Sequence, residues 1–240
     1  MPDRSPFGPT RLERRALCVA RIAAGALLFM QAVVHADPVP ISPAETLLFM
    51  TRHLQDVQPP RRLHYAFRKS GTLEQGFSDT VDVDITGGSD GSMKSTTRFF
   101  SGARRMDFPE IEHVEGNPVL LFYLDREVRE MSRLTHGTPI HFQKMMRTAL
   151  AESAQIRNID IRFDGRSLPA RQITITPYVA DPHRERFEQL AAKKYVFTLC
   201  EAIPGRVYQL RAVVPAASGS SKDEAVIDET LTFQSADAPK

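Results

Sequence analysis

Gly87-Gly88-Ser89-Asp90-Gly91 has the spacing of the G-x-S-x-G nucleophile elbow. That motif does chemistry when its serine sits on a sharp strand-to-helix turn, where a helix amide helps to form an oxyanion hole. Here the following residues, Lys94 to Phe100, are rich in Ser, Thr and Phe, which predicts a second strand. Small and polar residues between two strands are ordinary hairpin chemistry, so no catalytic serine is expected. His136 and His141 are close in sequence, as metal ligands often are, but Gly137 and Pro139 between them prevent a shared helical turn. No Cys or carboxylate cluster stands beside them. A surface or capping role is expected, with no metal. Asp79, Asp82 and Asp84 lack the glycine and final glutamate of a calcium loop. Strand alternation puts Asp82 and Asp84 on one solvated face. Pairs of Asp or Glu for acid–base work remain open, and no particular pair is singled out. No glycine loop precedes a helix as a phosphate cradle would, so no nucleotide cofactor is expected. No catalytic residue is assigned.

These residues belong to an ordinary globular composition, 42% hydrophobic and 25% charged. Two cysteines and no Trp exclude a disulfide-stapled miniprotein and any site that needs three thiolates. Residues 1–36 read as a secretory signal. Arg11, Arg14 and Arg15 form the positive region, Ile22 to Val34 the apolar stretch, and Val34-His35-Ala36 the cleavage signal. The apolar stretch is shorter than the roughly 20 residues of a membrane span, and Arg21 interrupts a longer reading. Cleavage after Ala36 into a periplasmic, soluble chain is expected, with residues 37–240 as one domain. The signal carries five Lys/Arg and two Asp/Glu, so the remainder holds 31 − 5 = 26 positive and 29 − 2 = 27 negative side chains. A charge near zero gives no footprint for nucleic acid or anionic lipid. Cys200 is then left alone, as a buried small hydrophobe or as a thiol for an intermolecular bond.

Four segments open with a capping residue followed by proline: Ser42-Pro43, Asn117-Pro118, Thr138-Pro139 and Asp181-Pro182. The first, with Glu45 completing a capping box, predicts a helix to about Gln55 with Leu47, Met50 and Leu54 on its apolar face. The second predicts a longer helix with Leu120, Leu121, Leu124, Val128 and Met131 on one side and Asp125, Arg126, Arg129, Glu130 and Arg133 on the other. Gly137 closes it. The third carries Phe142, Met145, Met146, Ala149 and Leu150, giving a helical hairpin, and the fourth is short. Elsewhere the period is two. Leu63, Tyr65 and Phe67; Val81, Val83 and Ile85; Ile159, Ile161 and Phe163; Ile173 and Ile175; and Tyr195, Phe197 and Leu199 each alternate as strands do. Val207, Leu210 and Val213 mark another strand. Ile227, Leu231 and Phe233 mark the last, with Glu229 breaking its apolar face. Ala216 to Ala225 reads as a surface loop. Consecutive strands joined by short turns argue for an antiparallel sheet and an α+β fold.

A signal, a capped first helix, long antiparallel strands and an inserted helical pair make the chain resemble the LolA/LolB-type half-barrel of exported bacterial proteins. Asp164-Gly165-Arg166-Ser167-Leu168-Pro169-Ala170, followed by the alternating Gln172 to Thr176, is similar to a hairpin of that family. The resemblance implies a strongly curved sheet wrapped around the helical hairpin and the first helix, with an apolar interior for lipid or acyl chains. On that reading Phe67, Leu124, Met131, Phe142, Met145, Met146 and Phe197 are the expected cavity or core residues. The expected function is a non-catalytic carrier of an apolar or acylated ligand. An envelope factor acting through protein contacts is the alternative, and a hydrolase with a dispersed site comes after it.

Overall fold

The computed structural model describes residues 40–216 and 224–238. The expected signal, its cleavage site and most of the loop from Ala216 to Ala225 lie outside the described residues. The order of elements follows the sequence pattern. A capped turn α1 (Pro43–Glu45) precedes strands β1 (Arg61–Ser70), β2 (Phe77–Gly87), β3 (Met93–Phe99) and the short β4 (Met106–Asp107). Helices α2 (Pro118–Thr135) and α3 (Pro139–Glu152) form the hairpin. Five strands follow: β5 (Gln155–Phe163), β6 (Arg166–Ile175), β7 (Lys194–Leu199), β8 (Val207–Val214) and β9 (Ile227–Asp237). All pairings are antiparallel in one sheet of order β4-β3-β2-β1-β9-β8-β7-β6-β5. The expected α+β class with an antiparallel sheet is the observed one.

The inner face of the sheet is built from rows of directly paired residues. Ile173, Phe197, Leu210, Leu231 and Phe67 oppose one another across β6, β7, β8, β9 and β1, each at most 1% exposed. Period-two alternation puts these side chains on one face, and the helical hairpin covers it with Tyr123, Met131, Phe142 and Met146. The sheet is also strongly curved. β5 and β9 are four strand spacings apart, roughly 19 Å if the sheet were flat. Yet the Phe163 ring of β5 lies 5.5 Å from the Phe233 ring of β9.

Capping chemistry explains the helix starts. Ser42 and Glu45 make both bonds of a capping box, and Asn117 and Thr138 accept from Val119 and His141 amides. Three expectations are corrected. The first helix does not run to Gln55. It widens into a π-helical turn (Thr46–Met50) and ends at Thr51, whose backbone is extended. The His53 ring then bonds the Leu47 carbonyl, and the Leu54 amide bonds the Glu115 carbonyl. Leu54 is therefore buried by a turn, whereas Met50 is 61% exposed. The second helix is rotated from its expected stripe: Leu121 is exposed, and Val119, Phe122, Tyr123, Arg126 and Glu127 face inward. Its closing residue is His136, which takes the left-handed conformation; Gly137 has no room for a side chain against the Phe142 ring. The fourth start gives a 3-10 helix (Arg184–Ala192), interrupted where Glu188 has a φ of +48°.

Candidate ligand-binding site

The β5–β6 hairpin is an arm. Its two strands pair along their whole length, but β6 pairs with β7 only from Arg171 to Ile175. The outer half therefore leaves the sheet and folds back over β8 and β9. Phe163 packs on Phe233, and the Tyr208 hydroxyl donates to the Arg162 carbonyl at 3.2 Å. Where the arm separates from β7, a cleft of about 480 Å³ opens. Ile159, Pro169, Ala170 and Leu199 give it an apolar lining, and Arg171 and Glu201, ion-paired at 2.7 Å, stand among its polar groups.

The seven residues read from the sequence do not line this cleft. Phe67, Met131, Phe142, Met146 and Phe197 are at most 4% exposed, and Leu124 and Met145 are partly buried against the same core. Their neighbours within that core differ. Phe142 meets Tyr178 and Phe187 at 5.6 and 5.4 Å between ring centres. The Phe67 face is covered by the Arg126 guanidinium, 4.9 Å above it.

That guanidinium belongs to a buried ionic cluster. Arg126 Nη1 lies 2.7 Å from Glu229 Oε2, and Lys69 Nζ lies 3.1 Å from Glu229 Oε1. Lys69 also reaches Glu130 at 3.0 Å and Glu74 at 2.9 Å. Lys193 meets Glu127 at 2.7 Å, both fully buried. Glu229 is thus no break in the apolar face: it points inward beside Leu231 and pairs with Lys69, the residue opposite it on β1. Burial works against the Glu229 charge, but Arg126, Lys193 and Lys69 outweigh it and hold the carboxyl well below the ordinary range. Burial pushes Glu127 up, against the pull of Lys193. Sequence reading missed Lys69, Arg126, Glu127 and Lys193. The available signal was register: Lys69 continues the inward period of Leu63, Tyr65 and Phe67, and Glu127 lies one turn beyond Tyr123 on the buried stripe.

Ser89 is exposed in the β2–β3 turn, closed by the Gly88 amide bonding the Ser92 carbonyl, with no helix behind it. His141 Nε2 lies 2.6 Å from Asp181, whose side chain is fully buried, and His136 caps α2. Asp82 and Asp84 share the outer face of β2, where Asp82 meets His64 and Arg98 and Asp84 meets Arg62. Cys200 is buried. Among the described residues no three His, Cys, Asp or Glu side chains gather as a metal site, and no helix is long and apolar enough to cross a membrane.

The fold is thus an open α+β half-barrel carrying an arm and an apolar cleft. No family model matches the chain, and no curated protein does. Among solved structures it is similar to MucB, at 16% identity over 84% of this chain and 61% of that one, with a TM-score of 0.36. It is also similar to the Mycobacterium tuberculosis lipoprotein LppX, at 11% identity over 79% and 93%, TM-score 0.34. A LolA superfamily protein from Nitrosomonas europaea matches at 10% identity over 82% and 94%, TM-score 0.23. The chain spans less than two thirds of the length of MucB.

Proposed function

We propose that the protein is a non-catalytic periplasmic binding protein for an apolar or acylated ligand. The observation that carries this reading is the cleft under the β5–β6 arm. Its volume, about 480 Å³, falls in the usual range for small-ligand sites. Its apolar lining suits an acyl chain, and Arg171 suits the polar end of one. The seven residues of the sequence reading, Phe67 through Phe197, act on this view as the packed wall behind the cleft. Export by residues 1–36 and a single mature domain from residue 37 belong to the same proposal.

Native mass spectrometry of residues 37–240, isolated from the periplasm without harsh detergent, tests it. A discrete added mass that releases an acylated molecule on denaturation, and that is lost in Ile159→Glu, is the expected result. A clean protein mass at every charge state overturns it.

A second reading rests on β5 itself, the edge strand of the sheet. One side of its backbone faces no other described strand, so a partner's strand can add to it. Proline in place of Ile159 or Ile161 weakens partner capture if this edge is used.

A further inference from the structure

A groove of about 410 Å³ crosses the outer face of strands β5 to β8. It shares no lining residue with the cleft: Arg157 and Gln172, an opposed pair, line the groove, and the next pair along, Asn158 and Arg171, lines the cleft. Three cations line the groove, Arg157 from β5, Lys194 from β7 and Arg211 from β8, and no carboxylate does. Arg211 is already held by Asp228, at 2.8 and 2.6 Å. Arg157 and Lys194 are exposed, and among the described residues no carboxylate lies within ion-pair distance of either. The contrast is with the outer face of β1 to β3, where Asp82 and Asp84 are matched by His64, Arg98 and Arg62. Most of the remaining lining consists of amide and hydroxyl side chains, among them Gln155, Gln172 and Thr174.

We propose that this groove binds an extended acidic peptide segment of a partner protein. Arg157 and Lys194 would take its carboxylates, and the glutamine amides, which both donate and accept, would take its backbone. The span from β5 to β8 is three strand spacings, roughly 14 Å, the length of about four extended residues. The groove also opens at Gln155 and Arg157 onto the edge strand β5. A peptide leaving it meets unpaired backbone groups there, which neither a lipid headgroup nor a free anion can use.

The test is fluorescence anisotropy of the intact protein with a short fluorescein-labelled peptide alternating Asp and Thr. Binding that weakens with salt is expected. Arg157→Glu with Lys194→Glu reduces affinity by roughly tenfold or more, while Arg105→Glu, near the opposite sheet edge, leaves it unchanged. Both altered positions are exposed, and matching thermal melts verify that the fold is kept. Unchanged peptide affinity after the double reversal overturns the proposal. So does binding of phosphatidylglycerol vesicles or dextran sulfate, sensitive to the same reversal, without peptide binding. Native mass spectrometry of the cleft is independent of this outcome, so the two readings fail separately.

Discussion

Lys69 and Glu229 face each other across the β1–β9 ladder, ion-paired at 3.1 Å inside the core. Neither charge is tolerable there alone. Removing one partner of a buried pair costs about 3–5 kcal/mol, because the other is left uncompensated. Glu229→Ala is expected to lose that much stability in urea denaturation. A double-mutant cycle with Lys69→Met should return a coupling energy of about 0.5–3 kcal/mol. Additive effects would mean that the pair contributes nothing specific.

Glu130 makes the cluster acid-sensitive. Burial resists its ionisation, but hydrogen bonds from Arg133 and Lys69 more than offset this and hold its carboxyl down to about 2. A depressed folded value stabilises the protein above the ordinary carboxylate range, and that contribution fades as pH falls from about 4.5 toward 2. Its size is on the order of 3 kcal/mol. Urea midpoints measured across that window should fall steeply in the native protein and less steeply in Glu130→Gln. Parallel curves would remove Glu130 from the account.

Asn117 joins three parts of the fold. Its carbonyl oxygen caps α2 at the Val119 amide, while its amide donates to the Tyr65 hydroxyl at 2.8 Å and the Gly205 carbonyl at 2.9 Å. Asn117→Ala removes a cap and leaves the buried Tyr65 hydroxyl without its donor, for a combined cost of about 2–3 kcal/mol. Gly205, with φ +73°, admits no side chain because one would meet Leu63 and Asn117. A smaller loss in Asn117→Asp than in Asn117→Ala would trace the effect chiefly to the cap.

Met146 is 4% exposed in the core and does not line the cleft. Met146→Ala is expected to cost about 2–5 kcal/mol in unfolding free energy while leaving retention of a cleft ligand intact. Weakened retention without lost stability would move the ligand into the helical interior.

Cys200 is buried at 1% exposure. A thiol reagent should leave it unmodified in the native protein and react once the chain is unfolded. Fast native labelling would revive the intermolecular disulfide.

Much of this architecture was legible in local chemistry. Proline after a capping side chain marks helix starts because both act within one turn, and Asn117 and Thr138 cap the helices there. Period two marked the strands because alternate residues must face opposite sides. The ends were less legible. Whether Thr51 turns or continues the helix depends on His53 and Leu54 finding partners far along the chain, at Glu115 and Asn117.

Register, curvature and charge pairing were decided by tertiary structure alone. Glu229 looked like an interruption because its partners, Lys69 and Arg126, come from other elements. A buried charge can be understood only once those elements are together. The cleft has the same origin: it exists because β6 stops pairing with β7 at Arg171 and the arm bends until Phe163 reaches Phe233. Local spacing determined which face of each strand turned inward. Only long-range pairing determined what that face met, since the energies of burial and ion pairing reside in contacts between distant residues.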